Sequence, residues 1–146
     1  MHRPYRILLV EDNPADVEIA LEAFRRSRGA VHIAVSRDGR DALDYLFQQG
    51  RYVHGQNAPR PDLILLDLNL PKLSGWELLE LIKRHESLRE IPVIVLTTSD
   101  RDADVRRCYR LGANSYLTKP VQLDEYVKLV ALVQQYWLQW CKLPGL

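Results

Sequence analysis

The stretch LILLDLNLP, which runs from Leu63 to Pro71, places a single carboxylate, Asp67, directly after four apolar residues. A short apolar run that ends in a turn is typical of a strand buried on both faces of a sheet. An acid at the end of such a strand raises the question of what its charge does there. An ordinary answer is that Asp67 caps the following turn, and the rest of the chain has to decide against it.

Four further strands and five helices are predicted around this stretch. The strands are expected at residues 5–10, 31–36, 62–67, 92–97 and 114–118, and the helices at residues 14–28, 39–50, 75–86, 102–112 and 123–140. Strands rich in Ile, Leu and Val that alternate with amphipathic helices predict a parallel sheet covered on both faces. We therefore predict an α/β fold of five β–α units, built on a doubly wound five-stranded parallel sheet.

The composition is that of a globular protein. The 146 residues are 47% apolar and 27% charged, which fits one domain with a substantial core. A net charge of +1 gives no bulk attraction to nucleic acid or to an anionic membrane, and the opening residues form neither a signal peptide nor a membrane span. Cys108 and Cys141 lack the spacing of a metal site, so we expect free thiols and a cytoplasmic protein.

Polar residues with reactive side chains follow four of the five predicted strands. Glu11 and Asp12 come after the first strand, Asp67 ends the third, Thr97 ends the fourth and Lys119 follows the fifth. The carboxyl ends of parallel strands meet at one edge of a sheet, where such folds bind ligands. We expect these five side chains to converge, whereas the end of the second strand, Ser36 and Arg37, has no evident connection to them.

Converging carboxylates favour a particular chemistry. Three carboxylates repel one another unless a cation joins them, and oxygen ligands of this kind suit Mg²⁺. A carboxylate can act as a nucleophile toward phosphoryl groups, and phosphoryl transfer needs positioning and charge neutralisation. Lys119 and the hydroxyl of Thr97 would supply both around Asp67, although Thr98 is chemically equivalent and Lys119 could be a surface residue. The joint pattern favours the functional interpretation.

Four blocks of the sequence resemble the signature motifs of response-regulator receiver domains, the CheY-like family of two-component signalling. These blocks are LLVEDNPAD (8–16), LILLDLNLPKLSG (63–75), VIVLTTS (93–99) and NSYLTKP (114–120), and the resemblance extends over about residues 6–137. It implies a flavodoxin-like receiver fold for a single domain over residues 1–146. The core would cover residues 5–138 and a tail residues 139–146, without an output domain.

The resemblance also implies a role for each candidate residue. Asp67 would be the phospho-acceptor, Lys119 the lysine that contacts the phosphoryl group, and Thr97 the switch hydroxyl. The remaining implied features are Glu11 and Asp12 as metal ligands with Asp67, the backbone carbonyl of Asn69 as a further metal ligand, Tyr116 as the aromatic switch residue, and a cis bond before Pro120.

A narrower resemblance concerns the loop before the third strand, the sequence PDLILLDLNLPK and the tail YWLQWCKLP. These features are similar to the phytochrome-associated single-domain response regulators of cyanobacteria and other bacteria. They imply a sensor histidine kinase as phosphoryl donor, which in this group would be a phytochrome. The output would be a contact with a downstream protein or onward transfer to another histidine.

The alternative is an Mg²⁺-dependent phosphohydrolase that forms an aspartyl-phosphate. Such enzymes carry a second acid two residues after the nucleophile, where this chain has Asn69. We therefore expect a signalling switch and not an enzyme with sustained turnover. The fourth helix carries several arginines, which form either a solvated face or a docking surface for an acidic partner.

The last predicted helix is apolar around most of its circumference. A helix that packs on one face of a sheet needs an apolar stripe of only about 100°. The surplus is aromatic, which is typical of a protein interface, so we expect a symmetric homodimer with Tyr136, Trp137 and Trp140 near its centre. In the alternative, the tail CKLPGL folds back over this surface.

Overall fold

The computed structural model describes residues 3–27, 29–55 and 57–144 and contains five strands and five helices in strict alternation. The elements are β1 Tyr5–Val10, α1 Pro14–Arg26, β2 Val31–Ser36, α2 Gly39–Phe47, β3 Leu63–Leu66, α3 Gly75–Arg84, β4 Val93–Thr97, α4 Asp102–Leu111, β5 Ser115–Thr118 and α5 Leu123–Val133. Short 3₁₀ turns cover Gly50–Tyr52 and Leu88–Glu90. The predicted helix residue 28 and the tail residues 145–146 lie outside the described ranges.

The strands form one parallel sheet in the order β2-β1-β3-β4-β5. The predicted five-stranded, doubly wound sheet is therefore confirmed. The chain runs from β1 to one side of the sheet and then crosses to β3 on the other side, so the strand order reverses between these two strands. Ligands of open parallel sheets bind beyond the carboxyl ends of the strands at such a reversal.

Two apolar cores cover the two faces of the sheet. Helices α2, α3 and α4 pack on one face, with Leu78, Leu79 and Ile82 of α3 fully buried. Helices α1 and α5 pack on the other face against side chains such as Ile94 of β4 and Val130 of α5. The two cores explain why the central strands are apolar at every position and not at alternate ones.

The predicted helices were slightly too long at their carboxyl ends, as the end of α2 illustrates. Helix α2 stops at Phe47 because Gln48 adopts a left-handed conformation with φ of 52°. At the amino ends the prediction was accurate, since Asn13 accepts hydrogen bonds from the backbone of Ala15 and Asp16 and caps α1. Capping side chains can be read from the sequence, whereas the point at which a helix loses its packing partner cannot.

The last predicted helix changes its winding before it ends. The α-helix stops at Val133, and residues Gln134–Trp140 form a π-helical segment. A π-helical segment has wider turns than the α-helix that the sequence predicted here. Gln134, a polar residue that interrupts the apolar surface of this predicted helix, is buried together with Leu138.

The aromatic residues near the end of this segment separate into two environments. Leu132, Tyr136 and Trp140 are 63%, 59% and 78% exposed and repeat every four residues. Trp137 is only partly exposed and packs against the second core. Leu143 of the tail also contacts that core, so the tail as far as Pro144 leaves Tyr136 and Trp140 uncovered.

Two expectations about the chain as a whole can be compared with the structure. Cys108 and Cys141 are both free thiols, as predicted. In the described part of the chain, every helix is too short or too polar to span a lipid bilayer.

Candidate functional site

Backbone hydrogen bonds at the carboxyl edge of the sheet bring the two central strand ends together. The amide of Asp67 donates to the carbonyl of Val10 at 3.0 Å, and the amide of Glu11 donates to the carbonyl of Ser36 at 2.9 Å. The acid at the end of β3 is thereby placed beside the acids that follow β1. Ser36, which the sequence did not connect to the site, fixes the backbone of one of its residues.

The amino end of α3 packs closely against the backbone of Asp67 and Leu68. The Gly75 amide donates to the Leu68 carbonyl at 2.9 Å, and a Cβ atom at position 75 would lie 2.2 Å from the Asp67 carbonyl oxygen. Only glycine allows this close approach. The helix therefore restricts where the backbone of Asp67 can move.

Lys119 connects three carboxylates across the site. Its ammonium group donates to Glu11, to Asp16 Oδ2 at 3.0 Å and to Asp67 Oδ2 at 3.3 Å. The lysine side chain is only 6% exposed, and Glu11 and Asp67 are buried. The backbone of Lys119 is fixed as well, because its amide donates to the carbonyl of Thr97 at 2.8 Å. The lysine neutralises buried negative charge that would otherwise be too costly to retain.

Burial and charge act in opposite directions on this cluster. Burial raises the pKa of Glu11 to about 7, against the lowering effect of its hydrogen bond to Lys119. Burial alone would lower the pKa of Lys119, but the hydrogen bond to Glu11 and the charge of Asp67 hold it above its ordinary value. The ammonium of Lys119 therefore stays charged. Glu11 is the acid of this cluster whose pKa is raised.

The same edge offers a set of oxygen ligands. Glu11, Asp12 and Asp67 each present a carboxylate oxygen within 4.8 Å of the others, and Asp12 is exposed to solvent. Few protein oxygens beside open solvent suit a divalent cation that keeps part of its water shell. Asn69, the fourth predicted ligand residue, is exposed two positions after Asp67.

Thr97 and Tyr116 occupy the other side of the site. The Thr97 side chain is fully buried, and its hydroxyl has no hydrogen-bond partner among the described residues. A buried hydroxyl without a partner is costly, and Ser36 Oγ and Gln134 Nε2 are in the same situation among the described residues. The Tyr116 hydroxyl donates to the backbone carbonyl of Ser99 at 2.7 Å and so connects β5 to the β4–α4 loop.

An open cleft of about 530 Å³ lies beside these residues. Asn69 and Ser99, which follow Asp67 and Thr97 by two residues, lie in its wall. Arg107 stacks on the Trp76 ring, with 4.2 Å between the guanidinium carbon and the ring centroid. The cleft opens to solvent beside the edge of the sheet, and this contact between α3 and α4 forms one side of it.

The structure brings Glu11, Asp12, Asp67, Thr97 and Lys119 to one edge, as the strand pattern predicts. It adds Asp16, which the sequence analysis missed. An acid four residues after Asp12, in the first turn of a predicted helix, was the signal that could have identified it.

The expected cis bond before Pro120 is wrong. Among the residues that the structure describes, every peptide bond is trans, including that between Lys119 and Pro120. The trans form is the lower-energy isomer of an X–Pro bond, and the resemblance alone had suggested the exception.

The sequence of this chain matches a known protein family and relatives within it. The family model of the response regulator receiver domain matches residues 7–131. The probable methanogenesis regulatory protein FilR2 of Methanothrix harundinacea is 46% identical over 142 residues, which cover 97% of this chain and 89% of FilR2. Response regulator Rcp1 of Synechocystis sp. is 45% identical over 142 residues, which cover 97% of this chain and 95% of Rcp1.

Solved structures show the same relationship. The Mn²⁺-bound form of Rcp1 has a TM-score of 0.87 at 45% identity and covers 97% of this chain and 100% of that chain. Phosphorylated RcpA, a cyanobacterial phytochrome response regulator, has a TM-score of 0.90 at 43% identity and covers 97% and 99%. The chain therefore belongs to the response regulator receiver domain family, and within it the chain is similar to phytochrome response regulators.

Proposed function

We propose that Asp67 accepts a phosphoryl group from a sensor histidine kinase and that Mg²⁺ is required. One observation carries the proposal: the buried Asp67 carboxylate lies 3.3 Å from the Lys119 ammonium, beside two further acids and an unpartnered Thr97 hydroxyl. The buried acids are paired with Lys119, whereas the buried Thr97 hydroxyl beside them lacks a partner within the described part of the chain. An anion added to Asp67 would give it one.

The metal would be held by Glu11, Asp12 and Asp67, together with the backbone carbonyl of Asn69. The donor set fits, because it consists of oxygens only and lies at a solvent-exposed edge. The Mn²⁺-bound form of Rcp1 supports the binding of a divalent cation by this chain. When bound, Mg²⁺ would neutralise charge on the transferred phosphoryl group.

Lys119 would stabilise the same charge from the protein side. Its side chain is buried and keeps its proton, so it presents a fixed positive charge to the oxygens around Asp67. A preorganised charge of this kind stabilises a charged transition state without reorganisation. Glu11 and Asp16 hold the ammonium in place until the phosphoryl group arrives.

Thr97 and Tyr116 would convert phosphorylation into a change of surface. The Thr97 hydroxyl can donate to a phosphoryl oxygen and end its unpartnered state. A movement of Thr97 toward the phosphoryl group would act on the β4–α4 loop, which Tyr116 holds through the Ser99 carbonyl. The surface of α4 and β5 would then bind a downstream protein, or the phosphoryl group would pass to another histidine.

The similarity to Rcp1 and RcpA supports a phytochrome as the histidine kinase. RcpA is a phytochrome response regulator whose phosphorylated form has been solved. We propose that this chain works in the same way, as a switch that is phosphorylated once per cycle and not as an enzyme that turns over a phosphomonoester.

The test is incubation with acetyl phosphate and Mg²⁺, followed by intact mass measurement. We expect the wild-type protein to gain one phosphoryl group. Asp67→Asn, which is nearly isosteric, should gain none while retaining its fold by circular dichroism. Asp100→Asn is the matched control, because Asp100 is an exposed acid in the wall of the same cleft.

Labelling of Asp67→Asn at the wild-type level would refute the assignment of the acceptor. Sustained release of phosphate from a phosphomonoester would identify an enzyme instead. Loss of labelling in chelator, with recovery on addition of Mg²⁺, would establish the metal requirement.

We further propose that the protein forms a symmetric homodimer through the π-helical segment. The support is the exposed stripe of Leu132, Tyr136 and Trp140, which the described tail leaves open. Large exposed aromatic residues in one row are typical of an interface core. Trp137 would lie at the rim of this contact, since it is partly buried within its own chain and stacks edge-to-face on Tyr136 at 5.3 Å.

Light scattering at micromolar concentration tests the dimer. We expect the wild-type protein to be dimeric and Trp140→Glu to be monomeric. Val53→Glu is the control, because Val53 is an apolar residue of similar exposure, 62%, that lies outside the stripe. A wild-type monomer with and without phosphorylation, or a dimer that survives Trp140→Glu, would contradict the proposal.

A further inference from the structure

The Lys119 ammonium has no free hydrogen. A lysine ammonium donates three hydrogen bonds, and in this structure all three are used, by Glu11, Asp16 and Asp67. If Asp67 becomes phosphorylated, Lys119 can reach the new oxygens only by giving up one of these carboxylates. Which carboxylate it releases affects how tightly the phosphoryl group is held.

Asp16 differs from the other two carboxylates in position. Glu11 and Asp67 belong to the group of oxygens that can hold a cation, and Asp16 does not. Asp16 instead lies in the first turn of α1, where its amide donates to the Asn13 side chain at 3.2 Å. A carboxylate in the first turn of a helix is favourable, so α1 supports an acid at this position independently of the metal site.

Asp16 is also the carboxylate that can leave most easily. Its side chain is 29% exposed, against 3% for Glu11 and 7% for Asp67, so water can replace the lysine as its partner. Phosphorylation moves the negative charge of Asp67 onto the phosphoryl oxygens, so the lysine stays beside that residue. Glu11 is buried, and without the lysine it would depend on the cation alone. The bond from Lys119 to Asp16 is therefore the one that breaks at least cost.

We propose that Asp16 is a positioning residue that holds Lys119 in the unphosphorylated state and competes with the phosphoryl group for its ammonium. The inference rests on the proposed function of Asp67. Asp16 does not touch the reacting atoms. It lowers the affinity of the site for a phosphoryl group and thereby limits the fraction of the protein in the switched state.

The experiment measures the affinity for beryllofluoride, a mimic of the phosphoryl group, at saturating Mg²⁺. Asp16→Asn should bind the mimic roughly threefold to tenfold more tightly, which corresponds to the strength of one exposed charged hydrogen bond. Asp16→Glu keeps a carboxylate and should remain close to the wild type. Glu18→Gln is the matched control, because it removes one exposed acid from the same helix.

A double-mutant cycle with Lys119→Met separates competition from simple charge repulsion. If Asp16 acts through Lys119, Asp16→Asn should change the affinity by less than about twofold in the Lys119→Met background. In ¹⁹F spectra of the beryllofluoride complexes, Asp16→Asn and Lys119→Met should each shift the same fluorine resonance relative to the wild-type complex. Equal gains in both backgrounds, or no gain in the wild-type background, would overturn the inference.

Asp67→Asn distinguishes the two levels of failure. If beryllofluoride binds equally to wild-type protein and to Asp67→Asn, the proposed acceptor is wrong. If binding requires Asp67 but Asp16→Asn behaves like the wild type, only the role of Asp16 is wrong.

Discussion

Two lysines are withdrawn from solvent in this protein, and they are held in opposite ways. Lys119 donates to three carboxylates at the carboxyl edge of the sheet, and its pKa is raised. Lys83 of α3 donates to two backbone carbonyls, those of Arg89 at 3.0 Å and Ile91 at 2.8 Å, and burial lowers its pKa to about 8.

The difference shows how a functional cation can be told from a structural one. Carbonyl dipoles satisfy the hydrogens of Lys83 but do not compensate its charge, so burial prevails. Its aliphatic stem packs against Gly112, where a Cβ atom would lie 2.9 Å from the lysine Cγ, and so joins α3 to the end of α4. Lys119 instead keeps its proton because the surrounding negative charge exceeds its own. An excess of negative charge is stable only where a cation can join it.

The largest expected effect comes from removing each lysine in turn. Lys119→Met should slow labelling by acetyl phosphate about 100-fold or more, the cost of losing a preorganised charge at a reaction centre. Without Mg²⁺ it should also lower the free energy of unfolding by roughly 3 kcal/mol, because buried carboxylates lose their partner. Lys83→Met should leave labelling unchanged and cost about 1 kcal/mol.

Initial rates of labelling and urea unfolding in chelator measure both quantities. The comparison would fail if Lys83→Met slowed phosphorylation, or if Lys119→Met left it unchanged. In that case burial and charge partners would not distinguish the two roles.

A smaller effect is expected at Asp12. In the described structure Lys119 makes no hydrogen bond to Asp12, so this acid depends on a cation for compensation. Asp12→Ala should weaken Mg²⁺ binding by roughly tenfold to 100-fold. It should also raise the metal-free stability by up to about 1 kcal/mol, a small gain because the side chain is exposed.

Calorimetric titration with Mg²⁺ and urea unfolding in chelator test this pair of effects. Asp100→Ala provides the control, as an exposed acid of the neighbouring cleft that is outside the ligand group. Unchanged Mg²⁺ affinity in Asp12→Ala would remove Asp12 from the metal site.

The smallest effect is a pH dependence that belongs to Lys83. Its pKa falls from 10.5 to about 8 on folding, so the folded protein binds fewer protons than the unfolded chain between these pH values. Stability from this group therefore rises as the pH increases from about 8 to about 10.5. Relative to Lys83→Met, the wild-type protein should gain roughly 1 kcal/mol over this range, after allowance for solvent screening.

The free energies of unfolding of the wild-type protein and of Lys83→Met, measured at neutral and alkaline pH, test this prediction. A constant difference would show that solvent reaches the ammonium and that burial does not set its pKa. A difference that falls with pH would mean that Lys83 has a charge partner like that of Lys119.

The sequence by itself determined the sheet and most of the site. Five apolar runs separated by amphipathic helices predict a parallel sheet, and parallel strands collect their carboxyl ends at one edge. Glu11, Asp67, Thr97 and Lys119 follow from that rule, because each directly ends or follows a strand. Their convergence could be predicted without any tertiary distance.

Only the tertiary structure decided features that depend on distances between elements. Asp16 joins the site because Lys119, which follows β5, reaches it in the first turn of α1 at 3.0 Å, and no local pattern states which side chains of separate elements will meet. The π-helical winding after Val133 has the same origin. Within this segment Gln134 is buried and Trp137 is partly buried, while Tyr136 and Trp140 stay exposed. Sequence periodicity describes an isolated helix, whereas the winding and the exposed face depend on packing against the rest of the chain.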